Sequence, residues 1–476
     1  MADRRWTTTF VMYSVTSVIR ELPALGRCRP DPTDGSPSVA PVSPPLVPTS
    51  ATPVAVRHRG PITIRLLGIG ASRETGATDE YVALGTRYTM NLHGVYEGDL
   101  YASEYRTVYA GPTADEPAAV GDLPRPVGGK QGIEFRLKVT ERWKPAVERF
   151  VGRFPSVNVR PTADGTLVAS AVRWLYVSTD GGRSWDVTRR LPASSGPVGV
   201  LPSAFCEHDG ALYVGEYPLD GDATPRVLRS RDGGRTWATA LSLPEVRHVH
   251  AIEADPYSGD LWLTTGDAGE ECRIGRICDG EFEAVGGGSQ RWRAVQPVFT
   301  PTGLIWGVDS VYADENAVFE LPRSEFESGD PTVRRLTEMD DSIYYGASLT
   351  VGDEHWVALS TAVEPGTDST GPDDQQSDGG RATVVAASAA TDYTEWVELA
   401  TYRKRRVPAD GRPVGSFLPA ASAYVFLAVD ERGLLLNPYN TASDDGRILR
   451  VPRRRFAELH GADTPTATAT GTPVID

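Results

Sequence analysis

The chain has 476 residues, a formal net charge of −15, 40% hydrophobic and 23% charged side chains, with 48 glycines and 37 prolines. That length exceeds one simple compact core, so repeat architectures and large β folds come first; the composition excludes collagen-like and wholly disordered chains and favours turns and short strands. No stretch approaches the roughly 18 apolar residues of a membrane-spanning helix, and the acidic balance argues against nucleic acid as a partner, since a phosphate backbone needs basic surface.

Of the 48 cationic side chains only four are lysine: Lys130, Lys138, Lys144 and Lys404. An acidic, arginine-rich chain suits a salt-loaded cytoplasm, where screening lowers the cost of net charge. A GC-rich genome would leave the same bias. The four cysteines, Cys28, Cys206, Cys272 and Cys278, make no disulfide framework or zinc-knuckle spacing and read as ordinary thiols.

Residues 1–61 read as a disordered, proline-rich segment. Arg4-Arg5 and Phe10-Val11-Met12 form a poor twin-arginine export signal, broken by Ser14, Thr16 and Ser17, so a cytoplasmic location is expected and export is the alternative. Nine prolines between residues 30 and 61 mark a semi-extended linker. The strand-like Ile62-Thr-Ile-Arg-Leu-Leu opens a stretch, 62–92, suited to supply a ring-closing strand. Residues 366–380 read as a surface loop insertion and 456–476 as a disordered tail.

Between the ends the chain repeats. A turn glycine followed by an apolar strand recurs at Gly98, Gly165, Gly210, Gly259, Gly303, Gly352 and Gly433, at spacings of 67, 45, 49, 44, 49 and 81 residues. Most of these match the ~40–50 residues of a four-stranded propeller blade. The expected fold is all-β: one seven-bladed β-propeller over residues 62–455, with six blades as the alternative. Two segments 52 residues apart, Ser178-Thr-Asp180-Gly-Gly182-Arg-Ser184-Trp185 and Ser230-Arg-Asp232-Gly-Gly234-Arg-Thr236-Trp237, share the pattern S-x-D-x-G-x-[ST]-W. Decayed copies are read near Asp279-Gly280 and from Asp392 to Trp396. The aspartate can accept N–H groups across the turn, the glycines take positive φ and the tryptophan packs over it, so these residues are expected to be structural.

This pattern resembles the Asp-box (BNR) repeat of sialidases and related propellers, and the chain as a whole resembles the BNR-repeat glycosyl hydrolases of halophilic archaea over roughly residues 90–455. The resemblance implies carbohydrate as ligand class. Arg153-Phe-Pro155 running into Gly165-Thr-Leu-Val-Ala is similar to the sialidase segment whose arginine grips a sugar carboxylate, which would give Arg153 that role. Two departures stand: sialidases close with six blades, and Arg173-Trp-Leu-Tyr-Val-Ser178 leaves no room for the family's acid/base aspartate.

In a propeller, second-strand ends and first-strand starts share one face beside the channel, where ligand sites gather. On that geometry Glu216, Asp267, Asp309 and Tyr439 are the candidate catalytic groups. Arg153, Arg173, Tyr217, His248, His250, Arg291 and Arg293 are the candidate substrate-binding ones, and Glu270, Asn437, Tyr344 and Tyr345 fall on the same rim. Arginines, carboxylates, histidines and aromatics suit polar or acidic sugars. His248 and His250 share one face of a strand and could hold a metal with Asp267 or Glu216; one histidine hydrogen-bonded to a backbone group and the other partly solvated is the preferred reading, and no metal or cofactor is assigned. Function is read as carbohydrate-directed, either a sialidase-like glycoside hydrolase acting on acidic sugars or a non-catalytic glycan- or protein-binding propeller. The expected partner is a carbohydrate or other acidic small ligand, and the chain is expected to be a monomer.

Overall fold

In the computed structural model the described residues are 81–85, 89–126, 135, 139, 144–191, 199–218, 223–309, 316–364, 380–410 and 420–462. The expected N-terminal segment 1–61 and nearly all of the 366–380 insertion lie outside them.

The described strands form seven four-stranded antiparallel sheets, each a blade. Blades 1 to 6 are contiguous in sequence and span 91–122, 157–190, 205–242, 248–287, 298–339 and 342–403. Blade 7 takes three strands from the C-terminal side, Tyr424–Asp430, Gly433–Tyr439 and Leu449–Pro452, and its outermost strand, Val82–Ala83, from the other end of the chain. Val82 pairs with Arg450 and Ala83 with Leu449, so the 62–92 stretch does contribute the strand that closes the ring. All seven predicted glycine turns join first to second strands, as the repeat requires.

The second strands are buried from both sides because each blade is sandwiched between two others. Gly433–Tyr439 is buried at every position. Within it Leu434 and Leu436 pack towards Trp356 and Ala358 of blade 6, whereas Leu435 packs towards Leu92 and Leu100 of blade 1. Alternating side chains of one strand thus serve two neighbouring interfaces, which explains why the sequence shows an apolar run there and no alternation.

Both S-x-D-x-G-x-[ST]-W segments join third to fourth strands, in blades 2 and 3. Asp180 accepts from the Ser178 hydroxyl at 2.8 Å and from Ser184 N at 2.9 Å and its hydroxyl at 2.6 Å. Asp232 repeats this with Ser230 at 2.7 Å and with Thr236 at 2.8 and 2.6 Å. These bonds hold the Asp180 and Asp232 carboxyls down at about 2. Trp185 and Trp237 each donate an indole N–H to the turn carbonyl, of Gly182 and Gly234, at 2.9 Å.

Two α-helices occur among the described residues: α1 (Lys144–Val151), between blades 1 and 2, and α2 (Arg453–Ala462). Helix α2 corrects the expected tail boundary at 456. Its Phe456 and Leu459 are buried in the cluster shared by blades 6 and 7, an apolar pair at i, i+3 that gives the segment reason to order. One cysteine also departs from expectation: Cys206 and Cys272 are free thiols, but Cys278 is disulfide-bonded.

Candidate functional site

Four consecutive blades carry a carboxylate within two residues of the end of the second strand. Glu216 follows Ala211–Gly215, Asp267 follows Leu261–Gly266, Asp309 lies just beyond Gly303–Gly307 and Glu364 just beyond Glu354–Ala362. The repeat therefore delivers acidic groups to one mouth of the ring, and neighbouring arginines partner them.

The richest cluster centres on Asp267. Its Oδ1 lies 3.1 Å from Arg293 Nη2, 3.0 Å from His248 Nε2 and 3.9 Å from His250 Nε2, while Oδ2 lies 3.5 Å from Arg247 Nη1. Burial opposes ionisation of Asp267, but the hydrogen bond and charge of His248, with Arg293 and His250, outweigh it and hold the carboxyl well below the usual range. Arg293 reaches across to blade 5, where its Nε lies 3.4 Å from Asp309 Oδ2. Asp309 is almost fully buried, and burial pushes its carboxyl up to about 7 against the pull of Arg293, with Glu364 and Asp267 adding to the rise.

Local strand geometry aims the histidines. His248 pairs with Gly266, but the register shifts between Val249 and Ala251, so His250 sits in a bulge of the first strand of blade 4. Gly266 opposite leaves the space for it: a Cβ there would come within 2.6 Å of His250 Cε1. Both rings are buried, and Tyr217 stacks on His248 with ring centres 3.8 Å apart. His250 is held well below its ordinary pKa by burial, then by the charges of His248 and Arg293.

The structure thus brings together Tyr217, His248, His250, Asp267, Arg293 and Asp309. Glu216 is engaged by its own blade: Arg226 donates to it through Nη2 at 2.6 Å and Nε at 2.9 Å. Arg153 is held between blades 1 and 7, paired with Asp445 at 3.2 Å, donating to the Thr89 carbonyl at 2.8 Å and lying over Tyr439. Arg291 is exposed, over Trp292 and Phe319. Glu270 is exposed, and Arg173 half-buried. Asn437 is fully buried and bonds Leu92 N, Arg447 O and Met90 O. Tyr344 and Tyr345 belong to an aromatic group with Tyr424, Phe426 and Tyr439.

Sequence reading missed Arg247, which adjoins a named histidine, and Glu364, whose place in its blade matches that of Asp309. It also missed Arg160 and Glu253, which share a channel cavity of about 360 Å³ lined by the first strands. Arg160 donates to the carbonyls of His93 at 2.9 Å and Pro202 at 2.6 Å. Glu253 keeps some solvent contact there, yet burial pushes its carboxyl up to about 8, with Arg160 and Gln296 opposing.

No protein family matches the chain, and no curated protein matches it. Solved propellers do. The chain is similar to an oligogalacturonate lyase from Vibrio parahaemolyticus, at 8% identity and a TM-score of 0.44, covering 78% of this chain and 93% of that one. It is similar to U3-55K, at 11% identity and a TM-score of 0.45, covering 78% and 98%. It is also similar to the α-L-arabinofuranosidase Arb93A from Fusarium graminearum, at 14% identity and a TM-score of 0.34, covering 64% and 94%. At such identities the likeness concerns the fold alone.

Proposed function

We propose that the protein is a ligand-binding propeller that recognises a polar, carbohydrate-class ligand at the blade 3–6 mouth without hydrolysing it. The observation that carries this reading is the commitment of the candidate acids to arginine. Glu216 is held by Arg226, and Asp267 and Asp309 share Arg293. Outside the families that use a tyrosine nucleophile, glycoside hydrolysis needs two carboxyl groups facing a sugar across a gap of about 5–10 Å, and here the candidate tyrosine, Tyr439, lies under the Arg153 guanidinium. A guanidinium that spans Asp267 and Asp309 occupies that gap. The same groups suit recognition: arginine N–H groups, carboxylates and the Tyr217 ring are the equipment that hydroxyl-rich ligands require.

The test pairs two measurements on one preparation. Acidic and neutral oligosaccharides are titrated calorimetrically, and chromogenic glycosides of the same sugars are assayed for release. Binding that weakens about tenfold or more in Arg293→Lys, with no release above buffer, is expected. Turnover abolished by Asp309→Asn would overturn the reading in favour of a hydrolase, and no binding by any sugar would overturn the carbohydrate class.

A further inference from the structure

The two histidines and Asp267 also present a different chemistry. His248 Nδ1 lies 3.3 Å from the Pro218 carbonyl, and His250 Nδ1 lies 3.2 Å from the Ala294 carbonyl. A carbonyl oxygen only accepts, so each Nδ1 carries a hydrogen and each Nε2 is the atom left to take a proton or a cation. Both Nε2 atoms turn towards the same oxygen, Asp267 Oδ1. One atom from each of the three residues lies within 4.8 Å of the others. Lone-pair-bearing atoms converge in this way where a cation is to be held, and a backbone carbonyl on the far ring nitrogen is the usual device that orients a metal-binding imidazole.

We propose that His248, His250 and Asp267 form a three-ligand site for a divalent transition-metal ion of the zinc class. Two imidazole nitrogens and one carboxylate oxygen select zinc or its neighbours over magnesium and calcium, which require oxygen shells. The His250 bulge and the bare Gly266 are what allow both rings to point inward. Arg293, whose Nη2 lies 3.1 Å from Oδ1, has somewhere to go: Asp309 Oδ1 is buried and has no hydrogen-bond partner among the described residues. The metal takes the place of the proton between His248 and Asp267, and Arg293 moves fully onto Asp309. Asp267 is the partly exposed member of the three, with 26% of its side chain open. The vacant coordination position therefore faces the mouth, where water or an oxygen atom of a ligand can fill it. The inference does not depend on the carbohydrate reading, because the metal alone is the probe.

Full-length protein without an affinity tag, stripped with a chelator, is titrated with Zn²⁺ by calorimetry and with Co²⁺ by visible absorbance. One ion per chain is expected, with the d–d bands of a low-coordinate cobalt site and a metal-dependent rise in melting temperature. His250→Gln and Asp267→Asn should each weaken binding at least about tenfold, whereas His208→Gln, on blade 3 away from the cluster, should not. Asp267→Asn serves where His250→Gln fails to fold, because the amide keeps the shape of the carboxylate. Absence of stoichiometric binding in the parent, or equal affinity in Asp267→Asn, overturns the proposal. Sugar binding that persists in stripped protein leaves the metal site and the carbohydrate reading separable.

Discussion

The guanidinium carbon of Arg153 lies 4.4 Å above the centre of the Tyr439 ring, joining the approach to blade 2 to the end of the second strand of blade 7. The same group pairs with Asp445 and donates to Thr89 O, and the Arg153 main chain is bracketed by Asn440, which accepts from its N–H at 2.6 Å and donates to its carbonyl at 2.7 Å. Arg153 is built as a tie between blades. Lysine keeps the charge but cannot make the planar, two-ended contact. Arg153→Lys should therefore destabilise by about 1–3 kcal/mol while leaving sugar binding per folded molecule unchanged. Thermal melts run beside calorimetry check this, and an unchanged melting temperature would remove the tie.

Glycines at second-strand ends set how closely blades approach. A Cβ on Gly215 would lie 2.4 Å from Val249 Cγ1 of blade 4, and one on Gly307 would lie 2.3 Å from Ile343 of blade 6. Neither close neighbour is the far end of a flexible chain. Gly215→Ala and Gly307→Ala should each cost about 1–3 kcal/mol through overpacking. Gly165→Ala is the control: its added Cβ meets nothing within 4 Å, so only its φ of +80° resists the change. Chemical denaturation of the three variants ranks them, and Gly215 and Gly307 variants no more damaged than the Gly165 one would show that the neighbouring blades give way to the added methyl.

Among the described residues, ring closure rests on few. Beyond the Val82–Ala83 pairing, Leu84 is buried and its N–H donates to Ile448 O at 2.9 Å. Leu84→Ala should cost about 2–3 kcal/mol. A chain starting at residue 86 should melt well below one starting at residue 81. Equal melting of the two truncations would mean that blade 7 closes without this strand.

Glu253 supplies a pH dependence. Its folded-state carboxyl is pushed from an ordinary value of 4.5 to about 8, so between those values the folded chain retains a proton that the unfolded chain has released. Raising pH through this window lowers stability, and the loss is complete above about 8. Glu253→Gln removes the liability. Its melting temperature relative to the parent should rise between pH 5 and pH 9; a constant difference would place the Glu253 carboxyl in ordinary solvent.

The repeat was legible because the first-to-second and third-to-fourth turns of each blade recur at blade-length intervals, and glycines at those turns leave a mark that survives side-chain drift. Gly98 to Gly433 located every first-to-second turn, and Asp180 and Asp232 located third-to-fourth turns. The closing strand could be assigned to a stretch but not to Val82 and Ala83, since two residues hold no period. Site membership was legible by blade position and illegible by partner. His248, Asp267 and Arg293 were nominated from strand ends, but nothing local showed that Arg226 would take Glu216 or that Asp445 would take Arg153. Those pairings join residues 10 and 292 positions apart; the first forms when two strands of blade 3 pair, and the second exists only once the ring has closed. The His250 bulge was equally hidden, because a one-residue register shift leaves the amino-acid pattern intact.

The shared construction of blade 7 has a consequence for biosynthesis. Val82–Ala83 leaves the ribosome hundreds of residues before Leu449–Pro452, the strand it must meet. Until then the nascent chain carries blade 1 with one flank unsealed, its Leu92 and Leu100 waiting for Leu435. Six blades can stack in the order of their synthesis, but the seam between first and last is sewn only after translation has passed residue 452. Over that interval the open arc is the form of the protein most exposed to chaperones, proteases and other copies of itself.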